Sequence, residues 1–400
     1  MRLSSMQIFQ QGISAILDQQ SKVNKTELQI ATGRRILTPS DDPAAAVQIL
    51  NITKGLALVD QYQRNANIAE GQLALEETVL VDVGNLLQRV RELVVQANNG
   101  SQSTETRQSI AIEIESRLDE LLSLANTRDA SGEYIFAGFQ SQNEPFAQQG
   151  NVFSFNGDNG QRLLQVGSRT QVAVRDSGVD VFLSAPSGNG TFAIAPDSTN
   201  TGTLVAGSNS VISSFLPDNY NITFSQPGPL DPISYQVVDS ATAVVTSGNY
   251  VPGETISFAG ASIRFDGTPA DGDGFQVSPS VKQNMFATLQ SIVDGLNGSG
   301  STPADNSAVN NAMAQALDNL DQALGSVLKV RSDVGVRLNH VENQSNLNES
   351  FTLQLKETLS GLQDLDYAEA ISRLNLQLTT LQAAQQVYVK VQGLSLFNFL

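Results

Sequence analysis

The chain has 400 residues, enough for about two to four domains. Lys and Arg number 23 against 40 Asp and Glu, and the resulting net charge of −17 would repel nucleic acid and an anionic membrane surface. There is no Cys and one His, His340, which excludes disulfides, thiolate metal sites and a Cys nucleophile and leaves no second imidazole for relay chemistry.

No apolar run approaches the roughly 20 residues that span a bilayer, and residues 1–10 are too polar for a secretory h-region. The first predicted element is a helix of about 30 residues. It carries Met6 and Ile13 on one row and Phe9, Ile16, Val23 and Ile30 on another. Asp42-Pro43 opens the second helix as N-cap and first helical residue, because proline has no N–H to lose there. Its row Ile52, Val59, Ala66, Leu73, Leu80, Leu87, Val94 repeats every seven residues, with Val83, Val90 and Ala97 in support. Such a repeat means burial along one stripe against other helices. Asn98-Asn99-Gly100 ends it, and a shorter helix follows through Ile110, Ile114, Leu118, Leu121 and Ala125.

Residues 141–285 change character. They hold 10 of the 13 Pro, 16 of the 31 Gly and 13 of the 24 Phe plus Tyr, within 145 of 400 residues. Proline, glycine and aromatics together mark short strands joined by tight turns. Alternating runs agree: Tyr220, Ile222, Phe224; Ile233, Tyr235, Val237; Ile256, Phe258. The segment reads as an all-β insert, with the Ser/Gly/Asn-rich stretch 184–210 as a candidate split into two small units.

Thr302-Pro303 opens the C-terminal helical flank. Its row Met313, Leu320, Val327, Val334, Val341, Asn348, Leu355, Leu362 is again seven-spaced, flanked by Leu317, Leu324, Leu338 and Leu359. A helix from 304 to about 365 would be roughly 90 Å long. After Asp366 the phase slips to Tyr367, Ile371, Leu374, Leu378, Leu381, Tyr388, which predicts a joint and a final helix matching the first in length. The expected architecture is α+β: an elongated rod of long antiparallel helices, a coiled-coil-like bundle from both chain ends, with a central all-β insert. Three regions are expected: a terminal helical domain (1–40 with 365–400), a helical stem (41–140 with 286–364) and an outward β domain (141–285). A two-helix terminal pair buries little area and is marginal alone, so the pattern describes a polymer subunit completed by its neighbours.

Candidate chemistry is sparse. His340 lies beside the seam with no triad or metal partner in pattern. Asp266 to Gly274 lacks the ligand spacing of a calcium loop and reads as a β-turn. Gly188, Gly190, Gly298 and Gly300 fit neither a P-loop nor a dinucleotide fingerprint. Of the adjacent carboxylates Asp41 and Asp42, the second is explained by capping. Arg331 falls on a seam position, where it either snorkels or pairs. No catalytic residue, cofactor or metal is expected, and an enzyme on the insert is disfavoured because 141–285 has no His and only two Glu, Glu144 and Glu254.

Arg2 to Phe9 and Ile30 to Ala44, with Gly33-Arg34-Arg35-Ile36-Leu37 and Pro39-Ser40-Asp41-Asp42-Pro43, resemble the N-terminal block of the bacterial flagellin family. Gly132-Glu133-Tyr134-Ile135-Phe136-Ala137-Gly138-Phe139, Phe155 to Gly160, Phe265 to Val277 and the ending Ser395 to Leu400 are similar to its hook-associated branch. The resemblance covers 1–170 and 255–400. It implies a structural subunit at the hook–filament junction, exported through the flagellar type III channel to the outside of the cell. The implied partners are further copies in a ring, hook-associated protein 1 on the hook side, flagellin on the filament side and an export chaperone on the C-terminal helix; neither nucleic acid nor membrane is implied. Met6, Phe9, Ile13, Ile16, Leu374, Leu378, Leu381, Phe397 and Phe399 are then the candidate subunit-packing residues. The rival readings are a filament flagellin of the same fold and, less favoured, a helical-stem adhesin.

Overall fold

The computed structural model describes residues 5–228, 231–298 and 300–393. The architecture is α+β, with long helices from both chain ends and a central insert of antiparallel sheets. The helices are α1 (Ser5–Thr32), α2 (Pro43–Ala97), α3 (Thr104–Ala125), α4 (Gly178–Phe182), α5 (Met285–Asn297), α6 (Pro303–Gln363) and α7 (Tyr367–Gly393). Two compact units form, one from Met1–Asn65 with Gln344–Leu400, the other from Ala66–Asn343.

Local signals place the helix ends. The Asp42 carboxylate accepts the Ala45 N–H at 3.0 Å, capping α2. At α6, Thr302 Oγ1 accepts from Asp305 N and Asp305 Oδ2 accepts from Thr302 N, a reciprocal box. Asp41, the neighbouring carboxylate, accepts the Leu37 and Thr38 N–H groups and the Lys25 ammonium, at 2.5 Å. The Lys25 bond first, then the two backbone bonds, hold its pKa down at about 2. Both carboxylates are therefore spent on the turn between α1 and α2.

In the second unit the seven-residue rows become the core. Leu73, Leu80, Leu87 and Val94 of α2 and Met313, Leu320, Val327, Val334 and Val341 of α6 are fully buried. Ile114, Leu118 and Leu121 of α3 and Phe286, Leu289 and Ile292 of α5 complete the same cluster. Helix α5, for which the sequence pattern gave no separate expectation, is capped by Asn284, whose side chain accepts from Phe286 N and Ala287 N. Arg107 is buried and closes the C-terminus of α2: Nε donates to Ala97 O at 3.3 Å and a terminal nitrogen to Asn306 Oδ1 at 2.6 Å. Arg331 pairs with Glu77 across the seam at 2.8 Å.

The insert divides by its cores. Residues up to Pro186, including the hairpin Phe146–Gln149 and Val152–Phe155, pack on the helices. There Phe182 meets Phe136, Phe146 and Phe286 at 5.2, 5.3 and 5.6 Å. Beyond a short pairing of Ala185–Pro186 with Lys282–Gln283, a second core begins. A five-stranded antiparallel sheet runs in the order Val244–Asn249, Ser234–Val238, Tyr220–Ser225, Gly274–Pro279, Phe192–Pro196. A three-stranded sheet runs Thr255–Phe258, Ala261–Asp266, Val205–Val211. Tyr220, Ile222 and Phe224 alternate inward as their period requires. The acidic turn before Gly274 is a backbone cap: Asp273 accepts from Thr201, Gly202 and Ala270 N–H groups.

This second core meets α6 through amides. Asn311 is buried, donates to Leu204 O at 2.9 Å and accepts from Ala206 N at 2.8 Å. Asn319 Oδ1 accepts the Gly188 N–H at 2.7 Å, and Asn209 donates to Asp318 at 2.8 Å. Replacing Asn311 by Ala leaves a buried N–H and a buried carbonyl unpaired, at a cost of roughly 1–3 kcal/mol. Urea unfolding of Asn311→Ala should show that loss, with faster hydrogen exchange at Ala206; unchanged exchange there would contradict the clamp.

Candidate subunit-packing surface

The first unit is built on α1 and α7, which run antiparallel. Phe9 lies against Tyr388 with ring centroids 5.3 Å apart, Gln19 and Thr26 both reach Gln377, and Leu365 N donates to Gly33 O at 3.0 Å. Gly12 lets Tyr388 approach: a Cβ there would stand 3.0 Å from the Tyr388 ring. Gly33, at φ +67°, ends α1 in the left-handed conformation. At the joint, Arg35 N donates to Gln363 O at 2.8 Å and the Arg35 guanidinium to Leu362 O at 2.8 Å.

What this pair buries is modest and partly polar. The buried residues are Val23, Thr26, Gln29, Leu365 and Ala370. Thr26 Oγ1 sits 2.9 Å from Gln377 Oε1, and Gln29 donates to Arg35 O and accepts from Arg373. Of these, Val23 stood on a predicted apolar row, while Thr26, Gln29, Leu365 and Ala370 did not. Thr26 and Gln29 lie on the Val23 side at helical spacing, but their polarity hides them from a search for apolar rows.

The candidates themselves occupy a different position. Phe9 is 42% exposed, Ile13 38% and Leu378 37%, while Ile16, Leu374 and Leu381 are half-buried. The Met6 side chain, Phe397 and Phe399 lie outside the described residues. Further apolar side chains are exposed on the same helices, among them Leu17 and Leu28 on α1 and Leu376 and Val389 on α7. The unit's parts of α2 and α6 expose Leu50 and Leu58, and Leu347 and Leu353. Single exposed apolar residues need no explanation, but here they recur along a narrow helix pair. His340 is exposed, and the acidic turns at Asp41 and Asp273 are bonded to backbone.

Residues 4–141 match the bacterial flagellin N-terminal helical region and residues 317–400 the C-terminal helical region. Flagellar hook-associated protein 3 of Escherichia coli (strain K12) is 28% identical over 403 residues, covering 100% of this chain and 99% of that protein. Flagellin of the same organism is 34% identical over only 118 residues, 30% of this chain and 24% of that protein. The crystal structure of hook-associated protein 3 from Legionella pneumophila is similar with a TM-score of 0.76 at 34% identity, covering 78% of this chain and 98% of that one. With flagellin helical regions at both ends and hook-associated relatives matched through the insert as well, the chain belongs to the bacterial flagellin family, in its hook-associated protein 3 branch.

Proposed function

We propose that the chain is a structural subunit of the bacterial flagellum that joins hook to filament at their junction, and that it works by packing rather than catalysis. The observation that carries this reading is the apolar surface left exposed along α1 and α7. Residues 1–40 with 365–400 form the shared helical layer, residues 41–140 with 286–364 the stem, and residues 141–285 the outward domain. Copies assemble as a ring, with hook-associated protein 1 on one side and flagellin on the other. An export chaperone covers the C-terminal helix before secretion through the flagellar type III channel to the outside of the cell. A filament flagellin is the second reading; the likeness that spans the insert, against 118 residues for flagellin, favours the junction.

Cells lacking the gene should carry hooks without filaments and release flagellin into the medium, as seen by electron microscopy and by blotting the supernatant. Filaments of normal length on such cells would refute the proposal. At the residue level, Leu374→Asp or Leu381→Asp puts an unpaired carboxylate into the layer formed with neighbours, a cost of several kcal/mol per copy. Either variant should be secreted yet fail to support filament growth, while thermal unfolding of the purified monomer keeps the transition of its sheet core. Normal motility in these variants would remove the packing role.

A further inference from the structure

At the base of the insert, five segments bring seven charged side chains together. Glu76 of α2 is buried, and its Oε1 accepts the Asp176 N–H at 2.9 Å. Its Oε2 has no hydrogen-bond partner among the described residues. The nearby guanidinium groups are bonded elsewhere. Arg337 of α6 donates to Asp176 Oδ2 at 2.5 Å; Arg175 binds Asp129, and Glu133 at 3.1 Å; Arg162 reaches Glu133 at 3.4 Å. The other Asp176 oxygen accepts from Gln161 at 2.9 Å. On α2 itself, the adjacent Glu77 is committed to Arg331.

The charges then count as follows. With Glu76 ionised, four carboxylates (Glu76, Asp129, Glu133, Asp176) face three guanidiniums (Arg162, Arg175, Arg337); with Glu76 neutral the group balances at three and three, and Asp180, Asp333, Lys282 and Lys329, which line the cavity beside Asp176 and Arg337, add two charges of each sign. A buried carboxylate with no cation in contact and a second carboxylate beside it favours its acid form. We propose that Glu76 is a proton-held latch: held as a neutral acid it stays buried with its Oε1 on the Asp176 N–H, and loss of its proton sets a second negative charge against Asp176 and loosens the root of the insert.

Burial first, then the Asp176 charge, raises the Glu76 carboxyl to about 8 from an ordinary 4.5. The folded protein therefore holds a proton that the unfolded chain releases between about pH 4.5 and 8. The latch's contribution to stability is complete below 4.5, declines across that window and is gone above about 8. This inference is independent of the junction reading, because the purified full-length chain tests it.

Melting temperature should be followed from about pH 5 to pH 9 for the native protein and for Glu76→Gln. The native protein should lose at least about 3 °C more than the variant over that range. Parallel curves would overturn the latch. Infrared spectroscopy gives a second readout that does not need the variant to fold. At pH 7 the native protein should show the carbonyl stretch of a neutral carboxylic acid, fading as pH rises past about 8. Asp318 is another carboxyl whose pKa burial raises, and the difference spectrum against Glu76→Gln removes its contribution. A native spectrum with no neutral-acid band at pH 7, or a band that Glu76→Gln leaves intact, would overturn the proposal.

Discussion

A helix with one apolar stripe must lay that stripe against something, and the structure depends on how far each length of helix succeeds. In the second unit the rows of α2 and α6 are joined by α3, α5 and the first part of the insert, and every row position from Leu73 to Val94 and from Met313 to Val341 is dry. In the first unit the same rows continue through Ile52, Val59 and Leu355, which stay half-exposed. There α2 and α6 face each other, with Gln63 donating to Ser345 at 2.6 Å. Burial of a Leu or Ile side chain contributes about 1.5–3 kcal/mol when complete, so the contrast is one of stability: a finished core in one unit and an unfinished one in the other.

The sheet core solves a different problem. Phe192, Phe224, Phe265 and Phe275 give it an interior of its own. Its bonds to α6 are directional amide contacts at Asn311, Asn319 and Asp318, each contributing about 0.5–1.5 kcal/mol net. Bonds of that size add little to stability, but their directionality favours one orientation. The stem thus sets where the sheet core sits without sharing an interior with it.

Much of this was legible in residues that act locally. Asp42-Pro43 and Thr302-Pro303 start helices because capping needs only a side chain and the next turn. The seven-residue rows marked the seam because burial of a helix is periodic, and Tyr220, Ile222 and Phe224 marked a strand for the matching reason. What stayed hidden involves partners far apart in sequence or polarity inside a seam. Glu76 meets Asp176 across 100 positions, and nothing in its own neighbourhood distinguishes it from Glu77, which faces a cation instead. Thr26 and Gln29 are buried because Gln377, Arg373 and the Arg35 carbonyl satisfy them, and none of those partners is visible from α1 alone. Helix α5 lies, apart from Met285, within the expected helical stem (286–364), but its 13 residues are too few for a seven-residue row to mark it as a separate element.

The terminal candidates show why hydrophobicity alone could not sort α1 and α7. Both helices carry apolar residues on more than one row: Val23 turns inward while Ile13, Leu17 and Leu28 remain exposed, and Ala370 is dry while Leu376 and Val389 are open. Which row faces the partner helix is decided at the joint. Gly33 reverses the backbone, and the Arg35 N–H, the Arg35 guanidinium and the Leu365 N–H fasten it to the Leu362, Gln363 and Gly33 carbonyls. With those bonds made, the register of α1 on α7 follows, small Gly12 falls under Tyr388, and the bulkier residues are left on the outside. The joint thus fixes one register, and in that register the apolar side chains of both helices remain open to solvent.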